Sequence, residues 1–190
     1  MAVTGQAVSS SLDRFIEEVR QVWGDGKDPE LPYRVRGAME RMIATAGPEP
    51  WFDQLVTEAR PGRELYRDPD RGFILMGHVH PANHANQPHD HGPYWVVYGV
   101  GRGEVEITSY RRTDNASVAG RAALEQDHAV RFTPGTVRPY LTGDIHSTRA
   151  LVPGSVVFRF LSGDIDSVER CRYDLNKGTV SVFTSGASPT

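Results

Sequence analysis

The stretch Pro88-His89-Asp90-His91-Gly92, with His146 far downstream, decides how this chain is read. Along an extended strand successive side chains point to opposite faces, so residues i and i+2 share a face. His89 and His91 can then turn both imidazoles toward one cation. His146, supplied by a distant strand, would complete a three-nitrogen set with positions left open for substrate. That is the ligand pattern of a catalytic metal site rather than of a closed structural one. Asp90, between the two, is expected to face away and to make a local turn contact.

Around this stretch the sequence has two characters. From Ser11, Leu12, Phe15, Ile16, Val19, Val22 and Trp23 recur at three- and four-residue spacing, with charged residues between them. This predicts an amphipathic helix with Ser11 as its N-cap and Gly24 and Gly26 as its stop. Further helices are predicted over roughly 35–45 and 51–58. After Pro61-Gly62 come short apolar runs bounded by Gly, Pro, Asn and Asp, at 73–79, 94–100, 105–110, 129–132, 155–161 and 179–183. Six or more strands at this spacing predict an all-β sandwich or barrel. The expected organisation is one domain over 1–190, with a helical layer at about 11–60 and a β-barrel at about 61–185. Residues 1–10 and 185–190 read as disordered.

The chain has 190 residues, 38% of them apolar and 24% charged, which is enough for a real core. Its net charge of -3 carries no basic block, which argues against a nucleic-acid partner. Cys171 is the sole cysteine, so no intrachain disulfide can form, and a reducing compartment fits. No signal peptide and no membrane-spanning run is evident, so a cytoplasmic protein is expected. Oligomeric state is not legible. Of the other histidines, His78 and His80 form a second H-x-H pair. With His84 they read as polar lining near the site. His128 reads as a surface residue.

The spacing around His89 resembles the first motif of the cupin superfamily, G-x5-H-x-H-x3,4-E-x6-G. His89 and His91 are its histidines and Gly103 its last glycine. Val96 stands in the glutamate slot and Asn83 in that of the leading glycine. Gly143-Asp144-Ile145-His146 resembles the G-x2-H of the second motif, with Leu141 where proline is usual and Ala150 where asparagine is usual. The resemblance implies a double-stranded β-helix, the jelly-roll barrel of cupins, preceded here by a helical segment. Three histidines without a carboxylate further resemble the cysteine-dioxygenase type, the thiol dioxygenases. This implies a mononuclear non-haem Fe(II) centre on His89, His91 and His146, with O2 and a small anionic thiol as its reactants.

The departures from that type matter equally. Its crosslinking cysteine maps to Val96. Its Ser-x-His-x-Tyr set, the relay expected in the enzymes acting on cysteine or 3-mercaptopropionate, maps to Val157, Arg159 and Leu161, so a different substrate is expected, with cysteine a poor one. Arg67, next to Tyr66, resembles in position the arginine that holds the substrate carboxylate. Arg159 is a candidate on its own chemistry, because it interrupts the apolar strand 155–161 and a buried guanidinium needs an anion. Tyr94 and Tyr98 could present a hydroxyl to substrate or oxygen, beside their packing role. The leading expectation is oxidation of a carboxylate-bearing thiol to its sulfinic acid. The alternatives are a cupin dioxygenase cleaving a C–C bond in a diketone or hydroxyketone, and a non-redox metal-binding cupin acting as isomerase or binding module. Imidazole ligands also admit Zn, Ni, Cu, Co or Mn.

Overall fold

The strand Ser155–Leu161 is buried on both faces, and the architecture follows from what covers each face. The computed structural model describes residues 9–185, so the ends of the chain, expected to be disordered, lie largely outside the described residues. In chain order come α1 (Ser11–Val22), α2 (Leu31–Ala46), α3 (Pro50–Glu58), β1 (Arg63–Arg67), β2 (Ile74–His80), β3 (Val96–Arg102) and β4 (Val105–Arg112). They are followed by β5 (Leu124–Phe132), β6 (Val137–Tyr140), β7 (Ile145–Ala150), β8 (Ser155–Leu161), β9 (Arg170–Asp174) and β10 (Thr179–Phe183).

One antiparallel sheet has the order β1-β2-β8-β3-β6. On its outer face Val156, Phe158, Phe160, Leu75 and Val97 pack against Phe15, Val19, Met39 and Leu55 of the helices. The helices lie close because glycine faces them. A Cβ on Gly99 would stand 2.7 Å from side-chain atoms of Ile43 and Met39. The carboxylate of Asp68, buried in the turn after β1, fixes α1 through an ion pair to Arg20 at 3.0 Å.

On the inner face Ile74, Val96, Val157 and Leu161 meet Val105, Ile107 and Phe132 of the second sheet. That sheet carries β5-β4-β7 on one side and β9-β10 on the other. The gap between them is spanned by one residue, since His89 bridges to both His146 and Arg172. Two facing antiparallel sheets with a helical layer at the N-terminal side make the expected β-barrel.

Several local expectations are corrected. Ser10, not Ser11, caps α1: its hydroxyl accepts from the Asp13 amide at 3.0 Å, and Ser11 instead bonds Glu49. His89 alone takes part in sheet pairing, and His91 lies in the following turn. Strands β1, β6, β7 and β9 carry no long apolar run, since each is short and polar on its open face. β6 even contains Pro139, tolerated because β6 is a sheet edge. No described helix is long and apolar enough to cross a membrane.

Gly103 makes the β3–β4 turn at φ +74°, and a Cβ there would lie 2.9 Å from the Ser155 Cα. Gly103→Ala combines left-handed strain with a backbone clash and is expected to cost about 1–3 kcal/mol, read as a lower urea midpoint. An unchanged midpoint would contradict this account of the turn.

Candidate metal centre and its cavity

The bridge that places His89 between β7 and β9 also brings three imidazoles together. His89, His91 and His146 are all buried, and each offers a ring nitrogen within 4.8 Å of the others. The Nε2 atoms of His91 and His146 are 3.4 Å apart. Two nitrogens each about 2.1 Å from one ion stand about 3.0–3.4 Å apart at near-tetrahedral or octahedral angles, so the spacing fits a shared cation. His89 Nδ1 lies 2.9 Å from the Gln87 carbonyl, which can only accept, so Nδ1 carries the proton and Nε2 is left as the ligating atom. The Asp90 carboxylate turns away and accepts from the amides of Gly92 and Cys171, each at 3.0 Å. Val96, in the slot where cupins often carry glutamate, is fully buried in the barrel core. The donor set is thus imidazole only.

Burial makes all three rings neutral, as metal binding requires. Desolvation pushes His89 down to about 4 and holds His91 and His146 well below the usual imidazole range, with neighbouring positive charge adding to it. Among the described residues the Nδ1 atoms of His91 and His146 are buried without a partner. Three covered, uncharged imidazoles are well suited to a cation.

A cavity of about 160 Å³ adjoins this group, lined by His78, His80, His84, Tyr98, Val157 and Arg159 among others. Tyr98 is the shared wall. Its hydroxyl lies 3.4 Å from Nε2 of His91 and 3.4 Å from Nε2 of His146. Arg159, on β8, stands across from Tyr98 on β3 and from Met76 on β2, with its Nε covered and unpartnered. Among the described residues it forms no ion pair. His78 and His80 face the same interior, because β2 alternates Ile74, Met76, His78 and His80 inward.

Other candidates lie elsewhere. Arg67 is not at the cavity: its half-exposed guanidinium is satisfied by Glu64 at 2.7 Å and Asp164 at 3.0 Å, so it has no charge left to offer a substrate. Tyr94 packs its ring against Gly163 in the barrel core and does not line the cavity. His128 is exposed on β5 beside Asp127. Tyr140, which no sequence signal singled out, lays its ring 4.4 Å from that of His146. Its strand was hidden by its brevity and by Pro139.

No family model and no curated protein matches the sequence. Solved structures that resemble it include cupin superfamily proteins. One from Desulfitobacterium hafniense is 14% identical, over 54% of this chain and 76% of its own, at a TM-score of 0.40. KdgF from a Halomonas species is 16% identical, over 53% of this chain and 74% of its own, at 0.42. The cupin domain of Schizosaccharomyces pombe Cnp3 is 14% identical, over 53% and 61%, at 0.39. Identities this low leave the chemistry to be read from this chain's own residues.

Alanine at His89, His91 or His146 is expected to lower metal content severely, and His128→Ala to leave it unchanged, by metal analysis of purified protein. Metal kept by those three variants but lost on changing His78 and His80 would relocate the centre. A second expectation concerns pH. His78 and His80 are held at about 3 and about 4, as His89 is at about 4, against an ordinary 6.5. Below 6.5 the unfolded chain takes up protons that the folded chain does not, so metal-free protein should lose stability as pH falls from 6.5 toward 4. Urea midpoints that stay level over that range would refute the burial argument.

Proposed function

We propose that this chain is a mononuclear non-haem Fe(II) dioxygenase that oxidises a small carboxylate-bearing thiol to its sulfinic acid. The observation that carries the reading is the pairing of an all-imidazole, uncharged donor set with an acid-free cavity holding an unpaired arginine. Three neutral ligands leave a bound Fe(II) its full charge, which favours a soft thiolate, and the ion would supply the redox and Lewis-acid chemistry joining thiol and O2. Overall, R–SH and O2 give R–SO2H, with both oxygen atoms entering the product.

The chain's own residues set the rest. His89, His91 and His146 would hold the ion, and the Gln87 carbonyl keeps His89 in the ligating tautomer. Arg159 offers a planar fork matched to two carboxylate oxygens. Val105, Ala150 and Val157 give the cavity apolar walls that exclude water around the pair. The Tyr98 phenol, raised in pKa by burial, keeps its proton and can donate to a bound anion. A cavity near 150 Å³ holds a molecule of benzene's size, so about 160 Å³ suits an acid of few carbons.

Fe(II)-loaded protein is expected to consume O2 with at least one small thiol acid in a panel that includes mercaptoacetate and mercaptosuccinate, yielding sulfinate by mass spectrometry, with cysteine a weaker substrate. Full turnover without O2, or with zinc alone, would overturn the reading, as would activity confined to diketones. Arg159→Lys should weaken productive binding and Arg159→Ala weaken it more, by about 2–5 kcal/mol in kcat/KM, with metal content intact. Unchanged kinetics in Arg159→Ala would exclude the carboxylate role.

A further inference from the structure

The cavity holds a second histidine group that the metal centre does not use. The rings of His78 and His80 are stacked at 5.5 Å and those of His80 and His84 at 4.5 Å, within 9° of parallel. Parallel rings send their in-plane lone pairs side by side rather than to one point, so this group is not built to chelate an ion. It runs inward from exposed His84, so that His78 is its deep end. Three polar atoms of cavity-lining residues are covered and unpartnered: His78 Nε2, His80 Nδ1 and Arg159 Nε.

The tautomer of His78 is fixed by the backbone. Its Nδ1 lies 2.7 Å from the Pro61 carbonyl, which can only accept, so Nδ1 carries the proton. The next residue, Gly62, holds the ring close, since a Cβ there would stand 3.3 Å from it. In the neutral ring Nε2 is therefore a bare lone pair turned on the cavity, the wrong partner for a carboxylate. His80 is not locked in this way and can donate from Nδ1 while neutral.

We infer that His78 makes this a proton-coupled acid pocket: a small carboxylate enters together with one proton from solvent, which settles on His78 Nε2, and is held between the resulting imidazolium and the Arg159 guanidinium. The charges facing His78 support this. They are His80 from β2, His84 from the following loop and Arg159 from β8, with the Tyr98 phenol from β3, and among the described residues no carboxylate lines the cavity. Burial first, then Arg159, then the other two histidines push His78 down to about 3, so the empty pocket is unprotonated at neutral pH. A bound carboxylate offsets the Arg159 charge and adds a negative one, which raises the His78 pKa. By linkage the acid must then bind more tightly as pH falls.

The inference rests on the reading of Arg159 as a carboxylate partner but not on iron or O2. The test is calorimetric titration of the metal-loaded protein with acetate, propionate, malonate and succinate, none of which has a thiol, in buffers of different ionisation enthalpy. At least one acid should bind with uptake approaching one proton, its affinity falling by up to about tenfold per pH unit as pH is raised. His78→Gln keeps a donor without needing a proton, so binding should persist while uptake and pH dependence vanish. His80→Gln should keep both. Binding without uptake in the wild type, uptake unchanged in His78→Gln, or no binding of any acid in the panel would overturn the inference. Metal content and O2 uptake on the same preparation separate the two readings. Thiol oxidation without proton uptake defeats only this one, and proton-coupled binding without O2 uptake defeats only the dioxygenase.

Discussion

The barrel and its site depend on the same backbone pairing. His89 exchanges two main-chain hydrogen bonds with His146, at 3.0 and 3.1 Å, which joins its segment to β7. Its neighbours do the same toward β9, where the Tyr173 amide donates to Pro88 at 2.9 Å and the Asp90 amide to Cys171 at 3.1 Å. Without this one-residue strand β7 and β9 would face each other across an unpaired gap. With it, two of the three imidazoles are opposite each other by construction, and His91 follows two residues on. Gly92 completes the turn at φ +62°, where a Cβ would stand 2.6 Å from the Glu169 carbonyl.

Charge then divides the barrel interior. The three-histidine group consists of neutral rings kept uncharged by burial, and the cavity beside it carries Arg159 without an acid. Both call for an anion: an ion on three imidazoles retains its charge, and a half-buried guanidinium without a counterion is costly. Tyr98 touches both regions, which makes a small molecule bearing two different anionic groups the natural bridge between them.

Much of this was legible in residue types. The run Val156-Val157-Phe158-Arg159-Phe160-Leu161 announced a strand covered on both faces, and Arg159 stood out because it broke that run. That His89, His91 and His146 come together as a group able to hold a metal was legible by chemistry, although the premise of a regular strand held only for His89. What stayed hidden depended on partners distant in sequence. Arg67 was a candidate by its position in the resemblance although it lies in a charged stretch, and what occupies it, Asp164, is 97 residues away. Tyr140 sat in a strand too short and too proline-marked to recognise. The tautomer of His78 is set by the Pro61 carbonyl, which no periodicity reveals.

The most direct test of the central claim is X-ray absorption at the iron edge of the Fe(II)-loaded protein, before and after anaerobic addition of the small thiol acid that supports the fastest O2 uptake. Scattering from three imidazoles with no sulfur in the resting state, and a sulfur neighbour appearing only with the thiol, is the expected result. Fewer than three imidazoles, or no sulfur after the thiol is added, would contradict it.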